Sequence, residues 1–165
     1  MNSAYKFEID KAQLKVFVAA AEYDKAFDIL TTPLHEWLYE KQDFEALDSR
    51  STLEQLILGF DYIKMQVGQG GFIQFLQNGY APLLPMVIEK AHELKMQSAM
   101  IKVLDDALKV YVLNINVLAK ETNVEEFGKL YEEFKEFEAL EKEFEALSLG
   151  FEKEICEKII VRIAD

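Results

Sequence analysis

The chain has 165 residues, half of them apolar and 29% charged, with a formal net charge of −12. A chain of this length buries roughly 70% of its unfolded surface without disulfides or metals, so one domain with one core is expected and a disordered chain is excluded. So negative a surface repels phosphate backbones and anionic lipid headgroups, which argues against direct nucleic-acid or membrane binding and leaves a solvated face or a cationic partner.

The opening residues MNSAYKFEID lack the basic and then apolar pattern of a leader peptide, and no run approaches the ~18 uncharged apolar residues of a membrane helix. With Cys156 as the only cysteine, no internal disulfide forms, and a reducing cytoplasm is the expected location. Leu14, Phe17, Val18, Ala21, Phe27 and Leu30 recur at helical spacing. Thr32 followed by Pro33 reads as an N-cap with proline at the first helical position, opening a short segment with Trp37 and Leu38. The polar stretch from Asp43 to Arg50 reads as a connection.

Ser51 and Glu54 form a capping box before a helix carrying Leu53, Leu56, Ile57, Phe60, Ile63 and Val67. Gly68-Gln69-Gly70-Gly71 stops it, a short helical turn from Phe72 to Gln77 ends at Asn78-Gly79, and Pro82 or Pro85 opens the next helix, to about Met96. Ser98 to about Leu118 is helical again. Asn123 and Glu126 cap a long helix with Phe127, Leu130, Phe134, Phe137, Leu140, Phe144 and Leu147 spaced by three or four, and Ser148-Leu149-Gly150 breaks it before a last helix with Phe151, Ile155, Ile159 and Ile163. No strand pattern persists, so the expected fold is an all-α, single-domain bundle of about six to eight helices.

Sites of known chemistry are scarce. Glu89 and His92 have the spacing of a di-iron ligand pair, but His35, the only other histidine, is preceded three residues back by Thr32, so the second half of such a site is missing. One cysteine and two histidines do not make a zinc site. Cys156 sits among Glu152, Glu154 and Glu157, which raise a thiol pKa where reactivity needs it lowered. The glycine segment lacks the Gly-Lys-Ser/Thr ending of a phosphate loop and follows a helix rather than a strand. No cofactor, metal or catalytic residue is therefore assigned, and the chain reads as non-enzymatic; the enzymatic alternative is a carboxylate site around Gln74 and Asn78.

From Glu121 to Lys158 there are thirteen glutamates against five lysines, a net of eight negative charges. One helix of that composition carries roughly one net charge per 7 Å, against ~1.7 Å for duplex DNA, so imitating a duplex requires acidic rows from neighbouring helices to combine. By local density Glu132, Glu133, Glu136 and Glu143 are the candidate partner-binding residues. The phenylalanine stripe is expected to be core, with a protein-binding groove or a homodimer seam as its other uses.

The stretch from Gln66 to Asn78 resembles the signature of a bacterial family of domains of unknown function, usually Glu-Val-x-Asn-Gly-Gly-Phe-x-Gln-Phe/Tyr-Phe-x-Asn, which includes a neisserial acidic DNA-mimic protein. Gly70, Gly71, Phe72, Gln74, Phe75 and Asn78 match, while Gln66 replaces the acidic residue and Gln69 the asparagine. The resemblance covers residues 50 to 118 and leaves the acidic helices of 123 to 165 unmatched. It implies an all-α fold and an acidic surface that sequesters a basic DNA-binding protein; toxin neutralisation or adaptor binding through apolar surface is the alternative. The motif itself reads as architectural, with glycines for a turn, Phe72 and Phe75 facing the core, and Gln74 and Asn78 satisfying buried backbone groups.

Overall fold

The computed structural model describes residues 4–163, the side chain of Ile163 lying outside the described residues. Among the described residues the fold is all-α and has no strands: α1 (Lys11–Ala19), α2 (Tyr23–Lys41), a 3-10 helix (Phe44–Ser49), α3 (Thr52–Gln77), α4 (Leu83–Glu93), α5 (Ser98–Leu113), α6 (Ile115–Leu118), α7 (Val124–Glu133) and α8 (Glu136–Ile163). They form a single domain built around α3 and α8. Every residue from Leu53 to Phe60 is buried, as expected of a helix covered on all sides, and α8 packs against α1, α2, α3 and α5. Aromatic rings knit the two central helices together. Phe60 lies 4.7 Å from Phe151 and 5.8 Å from Phe144, and Phe72 lies 5.7 Å from Phe137 and 5.9 Å from Phe144, measured between ring centroids.

Side-chain caps start α1, the 3-10 helix, α3 and α7. Ser51 and Glu54 form a full capping box, as do Asn123 and Glu126. The connection expected from Asp43 to Arg50 is a 3-10 helix capped by the Asp43 carboxylate. At the end of α3, the N–H of Gly79 donates to Leu76 O and that of Tyr80 to Phe75 O, a Schellman closure with Gly79 at φ +84°.

Two expected boundaries are wrong. Thr32 and Pro33 do not begin a helix: they lie inside α2. Ala26, Leu30, Leu34 and Leu38 bury one unbroken stripe through the proline, and Thr32 Oγ1 donates to Asp28 O at 2.8 Å beside the missing amide bond. Nor does Ser148-Leu149-Gly150 break the last helix, because Phe144, Phe151, Ile155 and Ile159 stay in register across it and are all buried. The break falls at Phe134, whose φ of −112° and ψ of 54° let Leu130, Phe134 and Phe137 all reach the core. Packing overrides local propensity in both cases.

The N-terminal segment is strapped across α2 and α3. Tyr5, Phe7 and Ile9 face inward, and Tyr5 Oη donates to Leu30 O at 2.8 Å. The Lys6 amide donates to Glu54 Oε1 at 2.6 Å, while Glu54 Oε2 accepts from the Ser51 amide at 3.1 Å and from Arg50 Nη2 at 3.0 Å. The Arg50 guanidinium lies over Phe7 and Trp37, 4.5 and 4.9 Å from their ring centroids. Glu54 is thus completely buried yet bonded through both oxygens.

Candidate functional site

The glycine segment bends α3 without ending its path through the core. Gly70 (φ −158°, ψ 21°) and Gly71 (φ 74°, ψ −174°) leave helical geometry, and helix resumes at Phe72. Such a break strands backbone groups that the helix would have paired. Two side chains from the acidic C-terminal helices supply partners: Tyr131 Oη donates to Gly70 O at 2.6 Å, and the Phe72 amide donates to Glu141 Oε1 at 2.9 Å. Burial pushes the Glu141 carboxyl up, opposed by the Phe72 amide and reinforced by Glu138. Desolvation and the charge of Glu141 likewise raise the Tyr131 phenol.

Phe72 and Phe75 of the motif are fully buried. Its polar residues do not hold buried backbone groups. Asn78 Nδ2 donates to Gln66 Oε1 at 2.8 Å, and Gln74 reaches only Gln69, at 3.5 Å. The backbone clamp is Gln77, whose Nε2 donates to Leu118 O at 2.6 Å and Lys120 O at 3.2 Å, while its Oε1 accepts from Thr122 at 2.7 Å. Sequence reasoning passed over Gln77, Tyr131 and Glu141. For Glu141 a signal existed: it lies four residues after Phe137 and three before Phe144, hence at the edge of the buried stripe.

The acidic residues divide by position. On α7, Leu130 and the half-buried Phe127 face inward, while Glu125, Glu126, Glu132 and Glu133 are exposed, as two columns with a seven-residue repeat, about 10 Å along the axis. Only Lys129 interrupts them, paired to Glu125 at 2.8 Å. Glu136, Glu138, Glu143 and Glu145 continue the exposed set onto α8. Glu136 and Glu143 share one flank by their seven-residue spacing, and Glu143 lies near Lys102 of α5, whose ammonium is held up first by its bond to Asp106 and in smaller part by the charge of Glu143. Glu138, Glu141 and Glu145 border a cleft of about 560 Å3 against Lys64 of α3, with Val67 and Phe144 among its walls. Glu152 is withdrawn from the surface: it is buried against Lys64, its carboxyl raised by desolvation despite that partner.

The phenylalanine stripe belongs to the core. Phe134, Phe137 and Phe144 are buried and Phe127 is half-buried, which removes the motive for a docking groove or a homodimer seam built on it. His92 is exposed, and His35 Nε2 lies 2.6 Å from Asp61 Oδ2. Among the described residues no group of three His, Cys, Asp or Glu is placed to hold a metal ion. The open cleft of about 390 Å3 beside Asn78 contains a single carboxylate, Glu121, and not Gln74, so no acid pair assembles there. Among the described residues no helix is long and apolar enough to cross a membrane.

Cys156 is buried, and desolvation, then Glu152 and Glu157, push its thiol up to about 12. Alkylation at pH 8 is expected to run on the order of a thousandfold slower in the native protein than in urea, where the thiol returns to about 8.5. Comparable rates of iodoacetamide labelling in the two states would show that the site opens readily.

A family model described as DMP19-like protein matches residues 48–162, a span that runs through the glycine break and the acidic helices. No curated protein and no solved structure matches the chain.

Proposed function

The chain belongs to the DMP19-like protein family, a DNA-mimic family, and from that premise we propose that its acidic surface occupies the phosphate-binding face of a basic DNA-binding protein. The observation that carries this reading is the segregation on α7: four exposed glutamates on one side and Phe127 and Leu130 on the other, continued by Glu136 and Glu143 on α8. From residue 124 to 145 there are nine glutamates and three lysines, half of the net charge of the whole chain on 22 residues. On this reading α7 and α8, which meet at the Phe134 turn, both contribute exposed carboxylates to the binding surface. A protein that grips phosphates with lysine and arginine meets the same sign of charge here.

Each exposed ion pair contributes little, about 0.5 kcal/mol, so the surface works by summation and is screened by salt within about 8 Å. Replacing Glu132, Glu133, Glu136 and Glu143 together by glutamine is expected to weaken partner binding by about 2 kcal/mol, roughly thirtyfold. The measurement starts with DNA-binding proteins retained from host lysate on the immobilised chain, then titrates them against the chain and the variant at low and high salt, with duplex DNA as competitor. Retention that resists salt, survives excess duplex and ignores the four substitutions would sink the proposal.

A further inference from the structure

Ahead of the family-matched span, the N-terminal segment, α1 and α2 border a shallow, open groove of about 520 Å3. Ile9, Phe17, Ile29 and Pro33 form its apolar floor, each half-buried. Glu8, Asp10, Asp28 and Glu36 stand exposed on its rim. The α2 positions that contribute are 25, 28, 29, 32, 33 and 36, the spacing of one helix face, which runs about 17 Å from end to end. The single cation, Lys25, is already committed: its Nζ lies 2.7 Å from Glu22 and 5.6 Å from the centre of the Phe17 ring. Among the described residues Glu8, Asp28 and Glu36 form no ion pair, so the groove joins apolar surface to unmatched negative charge.

We propose that this groove docks a cationic, partly apolar peptide segment of another protein. Aliphatic side chains rest on Ile9, Phe17, Ile29 and Pro33, and lysine or arginine heads reach Glu8, Asp28 and Glu36. Charge complementarity selects this occupant. A neutral segment would strip water from the rim carboxylates without replacing it, and a second copy of a chain carrying −12 would bring like charge against them. The length of the face takes about five extended residues or three helical turns. The site is separate from the α7–α8 surface and does not depend on its reading.

The probe is a fluorescein-labelled peptide of about six residues alternating leucine and lysine, titrated with the intact chain by fluorescence anisotropy, with circular dichroism confirming that each variant is folded. Saturable binding is expected, and the D28K/E36K variant, changed at two exposed positions, is expected to lose about tenfold or more in affinity. Oligolysine of the same length leaves the floor empty and is expected to bind about tenfold or more weaker than the alternating peptide. Substituting Glu132, Glu133, Glu136 and Glu143 by glutamine removes more carboxylates but leaves the groove intact, and is expected to weaken the peptide less than D28K/E36K does. Unchanged binding by D28K/E36K, or oligolysine binding as well as the alternating peptide, overturns the proposal and reduces the effect to diffuse attraction by net charge.

Discussion

Replacing Gly71 with alanine is expected to lower stability by about 4 kcal/mol, seen as a fall of roughly 10 °C in the melting temperature. Its φ of 74° and ψ of −174° lie where essentially only glycine is at ease, a strain of about 1 to 3 kcal/mol for any other residue. A Cβ there would also stand 2.2 Å from Glu141 Oε1, the acceptor of the Phe72 amide. Moving that carboxylate leaves a buried donor unpaired, at a further cost of about 1 to 3 kcal/mol. A double-mutant cycle separates the two: in a Glu141→Ala background, Gly71→Ala should forfeit only the backbone strain. Full additivity would show that the alanine and Glu141 do not meet.

Glu54→Ala is expected to cost about 3 to 5 kcal/mol, the usual penalty for removing one member of a buried ion pair. The loss falls on several partners at once: the Ser51 amide of the capping box, the Lys6 amide of the strap, and Arg50, whose side chain is only 18% exposed. Trp37, the single tryptophan, reports locally because it sits against Phe7 and under the Arg50 guanidinium. Below the unfolding transition, acrylamide should quench Trp37 more strongly in the variant than in the parent. Parent-like quenching together with lowered stability would mean that the strap is held by its apolar contacts and not by Glu54. Glu54→Gln keeps the acceptor for Lys6 but loses the charge facing Arg50, and should fall between the two.

What could be read in advance was local. Both capping boxes, the Gly70–Gly71 break and the Asn78-Gly79 stop are encoded within a few residues, and they stand where the residues put them. The misplaced boundaries arose where long-range burial outweighs local preference: Pro33 rides inside a helix because Leu30, Leu34 and Leu38 need a common face, and Gly150 because Phe144 and Phe151 do. The polar contacts that hold the break were out of reach for a different reason. Phe72 and Glu141 are 69 residues apart, Gly70 and Tyr131 61, and Lys64 and Glu152 88, with no periodicity linking one end to the other. Glu132, Glu133, Glu136 and Glu143 could be picked by density, but density alone did not distinguish Glu143 from Glu141, two residues earlier, which turns inward to cap a broken helix.

The position of α8 also bears on how the protein is made. It is the last of the described elements to leave the ribosome, yet it lies against α1, α2, α3 and α5. A nascent chain that has reached Leu118 already holds Phe60 and Phe72, but not Phe137, Phe144 and Phe151, the rings that cover them. The early helices therefore wait as an open half with apolar rings facing water, a species that chaperones hold and that aggregates when they are scarce. The glutamates of α7 and of the first turns of α8 emerge just before that half can close. Their like charge opposes contact between two such open halves once they come within the roughly 8 Å over which exposed charges act.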